Sequence, residues 1–128
     1  MVSRCREVIE MAYLRTMRIF LVEDHLDFAT TVIREFLAGQ DVEIATTVQV
    51  AKGLLSTRQF DVLLVDHDLP DGLGTEVVAH AMAIDGPLDI IAVSSHEEGN
   101  SALERAGART RCPKAKFNEI MAVIAKRS

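Results

Sequence analysis

Between Met17 and Ser128 the chain alternates two apolar patterns. Short unbroken runs, MRIFLV (17–22), DVEIAT (41–46), DVLLVD (61–66) and LDIIAVS (88–94), are rich in aliphatic and β-branched residues and too short for helices. They read as strands, with RTRCP (109–113) as a weaker fifth. The intervening segments carry helix signals. Asp27 caps a helix through Leu37 that Gly39 closes. Thr46 and Gln49 form a capping box for a helix over 48–58. A third helix covers 75–84 and stops at Asp85, Gly86 and Pro87. Ser101 with Glu104 opens a fourth that runs to 106, and 115–126 reads as the last.

Strands alternating with helices, the central strands apolar throughout, predict an α/β fold. Its parallel sheet is covered by helices on both faces, with right-handed crossovers. In such sheets, ligands bind outside the carboxyl ends of the strands. The first strand ends at Glu23 and Asp24, the third at Asp66, the fourth at Ser94 and the fifth at Lys114. Three carboxylates, a hydroxyl and an amine therefore converge on one rim.

Composition narrows the chemistry. With 128 residues, 48% of them hydrophobic and 26% charged, the chain is a single soluble globular domain. A net charge of −5 speaks against direct nucleic-acid binding, which needs clustered cations. No stretch reaches the roughly 18 to 20 apolar residues that span a bilayer. Cys5 and Cys112 lack metal spacing and read as reduced thiols of a cytoplasmic protein. In residues 1–16, Glu7 and Glu10 interrupt any signal-peptide core. That extension reads as a short helix lined by Val8, Ile9, Ala12 and Leu14, as an unstructured leader, or as the product of an upstream start codon.

VDHDLPDGLG (65–74) leaves three chemistries open. A calcium loop of the EF-hand kind counted from Asp66 fails at Pro70, Asp71 and Val77. An aspartate nucleophile of the D-x-D haloacid-dehalogenase type fits Asp66 and Asp68. It also needs acidic metal ligands further downstream, where the strand ends offer only Ser94 and Lys114. A phosphoryl-accepting aspartate uses all the rim residues. Glu23, Asp24 and Asp66 suit a hard cation such as Mg²⁺, while Lys114 and Ser94 suit phosphoryl oxygens.

From Met17 onward the chain resembles the receiver domain of two-component response regulators. The resemblance is carried by FLVEDH (20–25), LLVDHDLPDGLG (63–74), IIAVSS (90–95) and AGARTRCPK (106–114). It implies a flavodoxin-like (βα)5 fold with strand order 2-1-3-4-5, and a receiver unit over 17–128. Asp66 would be the phosphorylated residue and Asp24 a direct metal ligand. Glu23 would act through metal-bound water, Asp68 through its backbone carbonyl, Ser94 as the switch hydroxyl and Lys114 as the site lysine. The implied partners are a histidine kinase or phosphotransfer protein as donor and a downstream protein as target. The chain would be no enzyme beyond self-catalysed transfer and autodephosphorylation. Its end at the last helix suggests a single-domain regulator, although a piece of a longer one would look the same. A phosphate-independent interaction module of the same fold is the alternative.

Three positions depart from the family pattern. Arg111 stands where an aromatic usually swings with the switch hydroxyl; it reads as a solvated edge residue or as a contact to a partner or phosphoryl group. Ala115 replaces a proline that usually follows the lysine in a cis bond. A cis non-proline bond costs about 3 kcal/mol, so a trans bond and an altered loop are expected, stiffened by Pro113. Gly99 and Asn100 lie where the fourth helix usually begins, so the loop from Ser95 to Asn100 should be long. His67 and His96 lack a third histidine at ligand spacing and read as loop residues, not a zinc site. Asp68 and His96 are candidates for tuning hydrolysis. His25 and His80 read as helix-face residues, and Asp71 as a local turn residue before Gly72.

Overall fold

An apolar run makes a stable strand only where both faces of its sheet are covered, and here they are. The computed structural model describes residues 16–84 and 86–126. β1 (Arg18–Val22), β2 (Asp41–Ala45), β3 (Val62–Val65), β4 (Asp89–Ala92) and β5 (Thr110–Arg111) form one parallel sheet. Its order is β2-β1-β3-β4-β5, as the resemblance implies. Alternate side chains along each strand feed two cores. Phe20, Val22, Leu63, Val65, Ile90 and Ala92 meet the helices of one layer; Ile19, Leu21, Val62, Leu64, Ile91 and Val93 meet those of the other. Every residue of β3 and β4 is buried.

The helices are α1 (Leu26–Phe36), α2 (Val48–Thr57), α3 (Gly74–Met82), α4 (Glu97–Ala106) and α5 (Ile120–Ala125). α2, α3 and α4 cover the first core, through Ala51, Leu55, Val77, Val78, Ala81 and Leu103. α1 and α5 cover the second, through Ala29, Val32, Ile120 and Ile124.

Helix ends differ from expectation in instructive ways. Asp27 does not cap α1: His25 holds that position without a side-chain cap, and Asp27 sits in the first turn, where its charge suits the helix dipole. The cap of α2 is Thr47, whose Oγ1 accepts from Val50 N at 3.2 Å, so the Thr46–Gln49 box does not form. α3 begins one residue earlier and ends two earlier than predicted. α4 starts at Glu97, not after Ser101, so the long loop from Ser95 to Asn100 does not exist. β5 contracts to Thr110–Arg111.

The predicted last helix divides into a 3-10 segment, Lys114–Glu119, and α5, with a kink at Lys116 (φ −116°, ψ 24°). The peptide bonds of the described residues are all trans, including that after Lys114, as expected from Ala115. The extension, but for Thr16, lies outside the described residues, as does Cys5. Among the described residues no helix is long and apolar enough to cross a membrane.

Candidate functional site

Parallel pairing carries the ends of β1, β3 and β4 to one rim. Glu23 N donates to Ala45 O at 2.9 Å, Asp66 N to Val22 O at 3.0 Å, Val93 N to Val65 O at 3.0 Å, and Cys112 N to Ala92 O at 2.8 Å. Each bond continues the sheet by one residue, so the side chains that follow are fixed by the ladder. Glu23, Asp66 and Ser94 are buried there, although water is the natural environment of all three.

Lys114 holds the carboxylates together. Its Nζ stands 2.9 Å from Asp66 Oδ2 and 2.5 Å from Glu23 Oε1, with its side chain mostly buried. The ammonium also lies 5.0 Å from the centroid of the Phe28 ring, whose face favours a cation. Burial alone would lower the Lys114 pKa, but the bonds to Glu23 and Asp66 outweigh it and the pKa is raised. For Glu23 burial dominates and raises the pKa, against the lowering effect of Lys114 and of the His25 backbone N–H. Asp66 Oδ1 accepts from His67 N at 2.8 Å. Ser94 Oγ accepts from His96 N at 3.1 Å, which leaves its proton free to donate.

The acid pair has unanswered capacity. Glu23 Oε1 and Asp24 Oδ1 are buried oxygens without a well-formed hydrogen bond, although Oε1 is ion-paired to Lys114. Carboxylate oxygens with capacity left beside further carboxylates are what a hard divalent cation satisfies, so this donor set fits Mg²⁺. The ligand atoms of Glu23, Asp24 and His25 lie within 4.8 Å of one another. His25 is therefore no idle helix-face residue: its Nδ1 is 3.2 Å from Asp24 Oδ1 and 3.4 Å from Glu23 Oε2. Asp66 joins this group through Lys114.

The loop after Asp66 is built tightly. Asp68–Leu69 pairs antiparallel with Gly72–Leu73, and Gly74 N donates to His67 O at 2.6 Å. A Cβ on Gly74 would sit 1.9 Å from Asp66 O, so only glycine lets the chain turn back this close. The Asp68 side chain is exposed, with Oδ1 3.2 Å from His67 Nδ1. Asp71 is not a local turn residue. Its carboxylate accepts from Val48 N at 2.7 Å and Gln49 N at 3.0 Å, capping α2 from a distant loop. Those bonds lower its pKa.

Arg111 is partly buried and engaged within the fold. It ion-pairs with Glu97 and Glu104 and donates to Ser101 Oγ at 3.1 Å, fastening β5 to α4. His96 is exposed at the α4 N-cap. His80 is tied to α2 through a 2.8 Å contact between its Nε2 and Ser56 Oγ.

Two contributors went unread in the sequence. Phe28 carries no signal beyond its place in a helix stripe. Asn100 did carry one: it lies one turn before the core residue Leu103, so a polar side chain there faces inward and needs partners.

The response regulator receiver domain family matches residues 19–125. The chain belongs to that family. Phosphorylation and magnesium binding are typical of such receivers, which serve two-component systems. Among solved structures, the CheY-like receiver domain protein from Methanospirillum hungatei JF-1 is 24% identical at a TM-score of 0.77, covering 87% of this chain and 92% of that one. A two-component response regulator of the LuxR family from Aurantimonas sp. SI85-9A1 is 27% identical at 0.73, covering 88% and 87%. A response regulator from Burkholderia pseudomallei, solved with a phosphorylated aspartic acid, a calcium ion and citrate, is 20% identical at 0.74, covering 84% and 65%. No curated protein matches.

Proposed function

We propose that Asp66 of this receiver accepts a phosphoryl group from a histidine kinase or phosphotransfer protein, and that the chain signals through protein contacts. The observation that carries the reading is the mostly buried Lys114 ammonium bridging Asp66 and Glu23, with the Ser94 hydroxyl proton free on the same rim. An Asp66 carboxylate oxygen attacks phosphorus, the P–N bond of the donor's phosphohistidine breaks, and the imidazole leaves with the bonding pair. Lys114 offsets charge on the incoming oxygens, and Ser94 donates a hydrogen bond to one of them. Asp24, Asp66, the Asp68 carbonyl and, through water, Glu23 would hold Mg²⁺, which would supply the positive charge that lets two anions meet. A phosphorylated aspartic acid is present in the Burkholderia pseudomallei relative, which supports the assignment by analogy of fold.

In the same reading residues 17–128 form the receiver unit and the protein works in the cytoplasm. It turns over no substrate beyond its own phosphoryl group, and exposed Asp68 and His96 tune how long that group survives. Incubation with acetyl phosphate and Mg²⁺, followed by intact mass, tests this. One added phosphoryl group is expected, and none in a metal-free incubation or in Asp66→Asn. A folded protein that gains no mass would instead be a phosphate-independent binding module.

A further inference from the structure

Ser94 is held by a residue from the next helix. Asn100 is 2% exposed, and its Oδ1 accepts from Ser94 N at 2.9 Å while its Nδ2 donates to Ser94 O at 3.0 Å. One side chain thus answers both backbone groups of the residue that carries the hydroxyl. Gly99 brings α4 against it: a Cβ there would lie 2.6 Å from Ser94 Oγ and 3.0 Å from His67 Cβ. A buried amide is tolerated only when paired, and an apolar residue at 100 would leave the buried N–H and C=O of Ser94 without these partners. Asn100 thereby ties the backbone of Ser94 to α4.

The other side of α4 is equally fixed. Glu97, Ser101 and Glu104 are spaced to share one helix face, and all three bind Arg111 of β5. So α4 is fastened to the end of β4 by Asn100 and to β5 by Arg111.

We propose that Asn100 is a positioning residue for the Ser94 hydroxyl, and that Arg111 relays a displacement of Ser94 through α4 to β5. The proposal rests on Asp66 being the phosphoryl acceptor. When Ser94 is drawn toward a phosphoryl oxygen, Asn100 must follow, because separating them strands buried polar groups on both sides. α4 moves with Asn100 and pulls on Arg111 through Glu97 and Glu104. The relay needs no aromatic ring at position 111.

The test is amide hydrogen exchange with and without acetyl phosphate and Mg²⁺, with adduct formation followed by intact mass. Wild type, Asn100→Ala and Arg111→Gln are compared. Wild type should change exchange across residues 97–106 and into 110–113 when phosphorylated. Asn100→Ala should form the adduct about tenfold more slowly, as expected for a mispositioned group, with changes confined to residues 94–96. Arg111→Gln should keep the α4 response and lose that of 110–113. A residue that merely supports the fold would raise exchange equally in both states and leave the adduct rate alone. Wild-type rate and wild-type spread in Asn100→Ala would overturn the proposal. Should that variant not fold, an unchanged 110–113 response in Arg111→Gln would overturn it instead. Failure of wild type to take a phosphoryl group contradicts the acceptor reading, and the relay falls with it; an adduct with unaltered responses in both variants removes the relay alone.

Discussion

Gly74 and Lys114 show how single residues make this rim. The carbonyl of Asp66 leaves no space for a side chain at 74, and the obstacle is backbone, which cannot rotate away. Gly74→Ala should therefore destabilise the fold by about 2–3 kcal/mol, read as a lower urea midpoint at unchanged slope. An unshifted midpoint would mean that the loop relaxes freely. Lys114 was legible as a site residue because it follows a strand in a parallel fold, and strand ends gather whatever their identity. Arg111 was legible only as a departure. Its partners Glu97, Ser101 and Glu104 belong to a helix that begins before Ser101, the cap its sequence signals, so no spacing along the chain pairs them with Arg111.

The elements divide by how local their causes are. Strands were legible because a buried parallel strand is an apolar run, and that run is printed in four consecutive residues such as Val62–Val65. Helix starts were less so. α4 has no Ser, Thr, Asp or Asn at its N-cap, and α2 takes much of its capping from Asp71. A long-range cap has no spacing to recognise. Asp71→Ala should strip α2 of this support and expose the Val48 and Gln49 amides, which would exchange faster while the amides of β3 stay protected. Equal protection in the variant would show that Thr47 caps the helix unaided. The last helix went wrong at Lys116, where non-helical backbone divides a stretch whose composition reads as continuous.

At the scale of the molecule, two cores clamp a sheet whose carboxyl rim concentrates charge, and burial shifts what titrates. Cys112 illustrates the cost. Its thiol is 2% exposed and pushed up to about 11, chiefly by burial. In the unfolded chain the same thiol ionises nearer its ordinary value of 9.0, so between these values the unfolded state releases a proton that the folded state keeps. Stability should fall as pH rises from about 9 to 11, and Cys112→Ala should flatten that fall in urea titrations. A slope unchanged by the substitution would place its origin elsewhere.

The fold, the family and the rim were visible in the sequence. What was not visible is how α4 is bound to its neighbours, since buried amide pairs and cross-element ion pairs have no fixed spacing. Among the neighbouring carboxylates of Glu23, Asp24, Asp66 and Asp68, Asp66 is the proposed acceptor of the phosphoryl group. Peptide-level mass mapping after reaction with acetyl phosphate and Mg²⁺, with hydride reduction of the acyl phosphate to fix its position, tests it most directly. The modification should appear at Asp66 alone and vanish in Asp66→Asn. Modification at Glu23, Asp24 or Asp68, or an adduct that persists in Asp66→Asn, would rule out Asp66 as the acceptor.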